Sequence, residues 1–401
     1  MSKLQNWTWV PFAIALTATL AAIGFALGKG EHEAAPNPDL PKVRYRIRLP
    51  QLPPNSTRGG GIVKDMNNVG EVVGLYSSPQ GITAFLYAPA SNANQAIDLN
   101  DLATGGIPDG ARLSEGVAIN EWGVVVGCLQ QADGTVHPFA LDLGAETPVV
   151  DLLPNFGANM AYATQINENG DIIVLIRDTR SAYLFNPGLY NGDPGVRASR
   201  DGVSQDFSEE TPQLLPTRLS FSEVQLNNPL GERPAQIAGL TKDLVAFRYT
   251  TGKTPQLETF SGIGISTQSH IEGLNDAGIF CGLNFELITE GNYARDPFLF
   301  DRSLETLPWN KSELPQDMNA SGDLLTWEHV YREDWGFVRI SEIVTGTPAD
   351  LAAWNRGNFT AACMTDRMDG VDAAQIAGRL DGVFDYPAII VLTPEPLLEE
   401  Q

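Results

Sequence analysis

The sequence predicts an all-β chain. It reads as a seven-bladed β-propeller of four-stranded antiparallel blades, closed by an N-terminal strand and preceded by one N-terminal hydrophobic helix. Three observations predict it. An apolar residue followed by Asn or Asp and a Gly-containing turn recurs at Met66-Asn67, Ile119-Asn120, Ile166-Asn167, Leu226-Asn227, Leu274-Asn275, Met318-Asn319 and Met368-Asp369. The intervals are 53, 47, 60, 48, 44 and 50 residues, and a period near 50 signals propellers, solenoids or arrays. Each interval holds the pattern of four short strands, the signature of a propeller blade. The third observation concerns the ends. Val43-Arg44-Tyr45-Arg46-Ile47-Arg48-Leu49 is a period-two strand without a partner of its own, while the seventh unit stops short of an outer strand. Joining the two removes an exposed edge. A superhelical β-solenoid is the structural alternative, but its coils are usually much shorter than 50 residues.

Taken in order, the chain opens with a segment that carries localisation. Residues 5–28 hold no charge and residues 9–27 are almost wholly apolar, with Lys3 before them and Lys29, Glu31, His32 and Glu33 after. A positive flank before an apolar run directs the following chain outside the cytoplasm. The run is long enough to span a bilayer, although Pro11 shortens the usable helix. Residues 1–28 therefore read as a signal peptide or a signal-anchor, and residues 29–41, with three prolines from 28 to 41, as a flexible tether. No Cys follows the run, which excludes a bacterial lipoprotein anchor. The chain from about residue 42 onward is expected to be extracytoplasmic, secreted or anchored by the N-terminal helix.

The first unit shows the grammar. A strand ends at Met66, Asn67-Asn68-Val69-Gly70 makes a turn, and Glu71-Val72-Val73-Gly74 begins the second strand. Asn first and Gly fourth suit a type I turn closed by a glycine in the left-handed region, with the Asn side chain bonding the backbone two residues on. Thr83-Ala84-Phe85-Leu86-Tyr87 is the third strand and Gln95-Ala96-Ile97-Asp98-Leu99 the fourth. The glycine that ends the second strand stands eight residues after the apolar residue at Gly74, Gly127 and Gly282. In units four and seven Ala-Gln-Ile-Ala-Gly at 235–239 and 374–378 keeps the strand, with turns lengthened at Asn228-Pro229-Leu230-Gly231 and Asp369-Gly370. The units fall near 60–100, 113–152, 160–216, 218–260, 268–308, 314–345 and 360–392, within a propeller of 42–393, and residues 394–401 form an acidic tail. Residues 186–211 are an insertion in unit three that accounts for the 60-residue interval.

The combination of apolar-Asn-x-x-Gly, a Val-Val-Gly strand and a small-residue-Phe-Leu strand resembles the HAF-type extracellular repeat family. His137-Pro138-Phe139 comes nearest to its namesake tripeptide, and the position reads Thr83-Ala84-Phe85, Ser181-Ala182-Tyr183, Val245-Ala246-Phe247 and Asp296-Pro297-Phe298 elsewhere. The resemblance covers roughly residues 43 to 392. It implies a propeller-like fold and bacterial secretion or surface exposure. It implies no activity, because the shared residues are turn and core positions.

Composition narrows the partners. The net charge is −23, with 49 acidic against 26 basic residues, so a nucleic-acid partner is excluded by phosphate repulsion and the lack of a basic stripe. Three cysteines, Cys128, Cys281 and Cys363, fall in three units with no short spacing; they read as small buried hydrophobes, with one disulfide pair left open. Asn167-Glu168-Asn169-Gly170-Asp171 has the look of a calcium loop but lacks its downstream Glu, and sister turns carry Val69, Trp122 or Ala277 where ligands would stand. His137, His270 and His329 show no metal spacing. No cofactor, metal or catalytic residue is assigned, and His137 reads as packed. Carboxylates from different blades could meet in a central channel, as glycosidase chemistry needs.

Loops carry the remaining signal. Connections from second to third strand lie opposite the tight turns, at 284–296 in unit five and 327–334 in unit six. Trp327, His329, Tyr331, Arg332 and Trp335 put aromatics beside charges, which suits sugars or peptides, so these five are the candidate ligand-binding residues. The functional expectation is a binding or scaffolding module facing a protein or glycan at the cell surface, in contact with membrane only through the N-terminal segment. The alternative is a propeller hydrolase or lyase acting on polysaccharide, and a third reading is a purely structural envelope protein.

Overall fold

The computed structural model describes residues 43–396 except 58–59, 91–93, 104, 144–148, 157, 178–180, 186–212, 215–223, 228–233, 242–244, 252–254, 261–268, 290–291, 301–303, 307–313, 369 and 383–386. The hydrophobic segment 1–28, the tether 29–41, the insertion 186–211 and the turn 228–231 therefore lie outside the described residues, as do the last residues of the acidic tail. Strand pairing gives seven sheets, six of four strands and one of five. Each of the six four-stranded sheets is one repeat unit whose strands follow chain order and pair antiparallel, and the five-stranded sheet holds the seventh unit together with strands from elsewhere in the chain. This is the seven-bladed β-propeller that the repeat predicts.

The apolar runs have a direct cause. In blade one, Val72 packs into a core shared with blade seven while its neighbour Val73 packs into a core shared with blade two. Val124 and Val126 likewise face blade three, and Val125 faces blade one. Successive side chains of a strand point to opposite faces, and here both faces meet another blade. Hence the second strands are continuous runs such as Val72–Ser78 and Val124–Gln130 rather than alternating ones. Gly74, Gly127 and Gly282 lie inside these strands, not at their ends. A Cβ at any of the three would collide with a carbonyl oxygen of the first strand and with a ring of the third. The ring is the Phe of the recurring tripeptide: Phe85, Phe139, Phe247 and Phe298 stand opposite Gly74, Gly127, Gly239 and Gly282. An aromatic laid over a strand glycine covers the backbone that the missing side chain leaves bare.

The tight turns form as expected. Gly70, Gly123, Gly170, Gly278 and Gly322 have φ between +77° and +82°, and in blade one the Gly70 N–H donates to the Asn67 carbonyl at 2.9 Å. Each Asn Oδ1 accepts the N–H four residues on, at 2.9 Å from Glu71, Val124, Asp171, Ile279 and Asp323. In blades one to four the Asn Nδ2 also reaches the next blade. Asn67 donates to the Asn120 carbonyl at 3.1 Å, Asn120 to Asn167 at 3.1 Å, Asn167 to Asn227 at 3.3 Å and Asn227 to Asn275 at 3.3 Å.

This ring corrects the seventh repeat. Asn319 Nδ2 donates to the carbonyl of Thr365 at 3.3 Å, and Thr365 Oγ1 accepts the Gln375 N–H at 2.8 Å. Thr365, preceded by Met364, therefore holds the place taken by Asn in the other blades; Met368 lies further out, its N–H donating to the Ala373 carbonyl at 3.0 Å, and Asp369 lies outside the described residues. The spacing agrees: Gly378 stands 14 residues after Met364 (378 minus 364), close to the 13 from Leu226 to Gly239 (239 minus 226). A threonine hydroxyl can accept the same N–H, so the pattern search missed it by looking for an amide or carboxylate.

The ends close as the unpaired strand predicts. Val43–Arg48 pairs antiparallel with Ala388–Pro396 in the seventh sheet, so residues 394–396 belong to a strand. Val344–Thr345 adds a fifth strand, parallel to Val43–Arg48. Val43, Tyr45 and Ile47 are buried among Leu325, Ile376 and Leu392. Replacing Tyr45 with Ala is expected to cost about 3–5 kcal/mol, the usual penalty for deleting a large buried aromatic, read as a lower guanidinium midpoint. Asn120→Ala orphans the Val124 N–H and takes one of two donors from the Asn167 carbonyl, which keeps the Gly170 N–H; a loss of about 1–3 kcal/mol is expected, read by urea unfolding.

Candidate functional site

The first strand of every blade is innermost: Gly61–Met66, Arg112–Ile119, Ala161–Ile166, Gln225–Leu226, His270–Leu274, Pro315–Met318 and Asn358–Arg367. Their residues enclose a central cavity of about 330 Å³. A β-bulge recurs in these strands between Val63/Asp65, Gly116/Ala118, Ala163/Gln165, Ile271/Gly273, Pro315/Asp317 and Ala361/Cys363. A bulge sets two residues of one strand against one of its partner and re-aims side chains. The extra residues, Lys64, Val117, Thr164, Glu272, Gln316 and Ala362, all line the cavity.

Its lining is strongly acidic. Asp65, Glu121, Glu168, Glu272, Asp276, Asp317 and Asp366 contribute carboxylates, and among the described lining residues Lys64 is the cation. Several of these groups hold the ring together. Glu121 Oε1 accepts the Asn68 N–H at 2.5 Å, Glu168 Oε1 accepts the Glu121 N–H at 2.9 Å and Asp366 Oδ1 accepts the Ala320 N–H at 2.8 Å. Blades seven and one are joined at the same level by Asp366 N–H to Asn68 Oδ1, at 2.7 Å.

Deeper in, Asp65 and Asp317 each use both carboxylate oxygens. Asp65 accepts the Met66 N–H at 2.8 Å and, from the next blade, the Ile119 N–H at 2.9 Å. Asp317 accepts Met318 N–H and, from blade seven, Met364 N–H, both at 2.8 Å. Both carboxyls keep partial contact with the cavity and are enclosed by protein elsewhere. Burial pushes Asp317 up to about 7. The Met364 and Met318 N–H bonds oppose that rise, and the charges of Asp65 and Asp366 add to it. Burial raises Asp65 as well, against its own two N–H bonds. Cys363 lies in the charge field of both acids, and burial with those charges holds its thiol protonated.

The sequence reading did not find these acids. The residue two before the ring position is Asp65, Ala118, Gln165, Gln225, Gly273, Asp317 and Cys363 in the seven blades, so no repeated type marks it. One signal was available: Asp-Met-Asn occurs at 65–67 and again at 317–319.

The five predicted ligand residues do not form one loop surface. The second-to-third connection of blade six is the short turn at Trp327 and Glu328, and His329–Arg332 is the third strand. In blade five, Phe280–Thr289 and Asn292–Phe300 pair as one long hairpin where a loop was expected. Trp327 packs on Leu283 and Leu314. Tyr331 lies 5.1 Å from Phe337, ring centre to ring centre, and His329 lies 6.0 Å from it. Trp335 is buried in the core shared with the closing strand. Strand alternation sends Tyr331 and Arg332 to opposite faces.

Arg332 is buried in an inter-blade knot. Its Nε and Nη2 meet Asp334 at 3.0 Å each, Nη2 meets Asp372 at 3.0 Å, and its guanidinium lies 4.0 Å over Trp335. Arg367 joins Asp323 at 2.6 Å and Asp372 at 3.1 Å. The Arg332 side chain beside it holds Asp372 below the usual carboxylate range. The three cysteines are buried and free. His137 is half-buried with Nδ1 2.6 Å from Asp151 Oδ2. In the turn resembling a calcium loop, Asn167 Oδ1 accepts the Asn169 and Asp171 N–H groups.

Among the described residues no helix is long and apolar enough to cross a membrane. No family model and no curated protein matches this chain. Solved structures do. A streptogramin B lyase is similar at 11% identity over 88% of this chain and 98% of its own, with a TM-score of 0.46. The Aleuria aurantia lectin is similar at 8% identity over 74% and 94%, with a TM-score of 0.34. An α-L-arabinofuranosidase from Podospora anserina is similar at 11% identity over 90% and 99%, with a TM-score of 0.33. At such identities the likeness extends to fold alone. Arg332→Met is expected to cost about 3 kcal/mol, at the low end for breaking a buried pair because exposed Asp334 and Asp372 regain water while Asp323 keeps Arg367; urea unfolding measures it.

Proposed function

We propose that this chain is an extracytoplasmic binding or scaffolding module at the cell surface, taking a neutral or cationic glycan or peptide. One observation supports it above others: the carboxylates best placed for chemistry, Asp65 and Asp317, have both oxygens engaged by backbone N–H groups of two blades. Groups held in this way stiffen a ring and leave it as a platform for loops. The acidic cavity lining disfavours anionic ligands. The apolar N-terminal segment and the likeness to the HAF-type repeats support the location outside the cytoplasm.

A second reading, a hydrolase or lyase acting on polysaccharide, is favoured by one feature. Burial pushes Asp317 up to about 7 and the charge of Asp65 adds to the rise; an acid poised near neutrality in the field of a second carboxylate is what glycoside cleavage uses. Thermal shift of the protein against a glycan, peptidoglycan and cationic-peptide panel, with and without calcium, separates the two. The module reading expects a saturable rise in melting temperature with no product formed. Turnover of any panel member, lost in Asp317→Asn, would overturn it in favour of the enzyme.

A further inference from the structure

Three side chains at corresponding first-strand positions reach from one blade to the backbone of the next. Asp65 links blade one to Ile119 of blade two, Gln165 links blade three to Leu226 of blade four, and Asp317 links blade six to Met364 of blade seven. An amide does this at any pH. A carboxyl can accept both N–H groups too, but it puts a charge into the joint whenever it ionises. The two acids also flank blade seven, the blade that the N-terminal strand completes. Their charges reach each other across the cavity.

We propose that Asp65 and Asp317 form a coupled pair that retains a proton at neutral pH, a pH-sensitive device setting how firmly the closing blade is held. This goes beyond the binding reading and does not depend on it. The groups facing Asp317 from each packed element fit the assignment. Blade one presents Asp65 and Lys64. The first strand of blade seven presents Cys363 and Asp366, while its Arg367 is engaged with Asp323 and Asp372. Blade five presents Cys281 and Glu272, the latter paired with His270 at 2.9 Å. Lys64 is thus the cation left on the lining among the described residues. Negative charge dominates around the pair, so a second ionisation is resisted.

The sign follows from linkage. The Asp317 carboxyl rises on folding from the ordinary 3.8 to about 7. Between those values the folded chain holds a proton that the unfolded chain has released. Its contribution to stability is therefore fully present below the ordinary carboxylate value and is lost as pH rises through neutrality. Asp65 moves in the same direction, and the steps belong to the pair rather than to either residue. Above neutrality two repelling charges face each other beside the closing blade.

The test follows the folding equilibrium of the full chain by urea unfolding between about pH 6 and pH 9, alongside the infrared carbonyl stretch of protonated carboxyls. The wild type is expected to lose about tenfold in its folding constant over that range and to show the protonated band near neutrality. Asp317→Asn is expected to flatten the profile and remove the band. Asp65→Asn is expected to shift the midpoint to lower pH by removing the like charge. Superimposable profiles for wild type and Asp317→Asn would overturn the proposal, as would an unmoved midpoint in Asp65→Asn. Should neither variant fold, the wild-type band decides: its absence near neutral pH also overturns the assignment.

Discussion

A buried asparagine, replaced by Thr365 in the seventh blade, ends each innermost strand and ties local turn to global ring. Its Oδ1 closes a glycine-bulged turn by accepting the N–H four residues on, and its Nδ2 donates to the backbone of the next blade. One side chain thus satisfies a polar backbone group within its own blade and another across the junction, at a depth where an orphaned donor costs on the order of 1–3 kcal/mol. Because the same residue performs both tasks, the turn cannot form in the wrong register without breaking the junction. The bulges, cavity lining and acidic rim are all placed relative to this ring.

Around that constraint the blades pack like the layers of a closed sandwich. Alternate residues of each second strand serve different inter-blade cores, as Val72 and Val73 do. At Gly74, Gly127 and Gly282 only glycine, set against a third-strand phenylalanine, lets the first strand close over the second. Ring closure rests on an interaction between chain ends: Val43–Arg48 supplies the strand that the seventh unit lacks. The knot of Arg332, Asp334, Asp372, Arg367 and Asp323 strengthens the junction beside it. It accounts for the charges of Arg332 and Asp334, and with the stacked Trp335 for two of the five residues first taken as a ligand surface.

The centre of the ring combines two demands that oppose each other. Backbone N–H groups favour ionised Asp65 and Asp317, whereas enclosure and like charge favour the protonated forms. Burial and repulsion prevail at Asp317, and it is this balance that leaves a structural clasp with the acidity of a general acid. Glu121, Glu168 and Asp366 accept backbone N–H groups of neighbouring blades in the same way. The acidic channel is therefore first of all a joint between blades, and any ligand must meet it as such.

The repeat spacing, the Asn-x-x-Gly turns and the unpaired period-two strand determined the seven blades and their closure, because turn chemistry and strand patterning are local and survive in the order of residues. Local pattern also misplaced things. It put the seventh ring position at Asp369, since a hydroxyl can do an amide's work at Thr365, and it read His329–Arg332 as loop because charges and aromatics in a short strand look like decoration. Asp65 and Asp317 left only the repeated Asp-Met-Asn. Which residues face the cavity depends on a bulge in six of the first strands, and the acidity of Asp317 depends in part on a carboxylate 252 residues away (317 minus 65) whose charge reaches it in the closed ring. Only the tertiary structure decides such things, because electrostatic coupling follows distance in space.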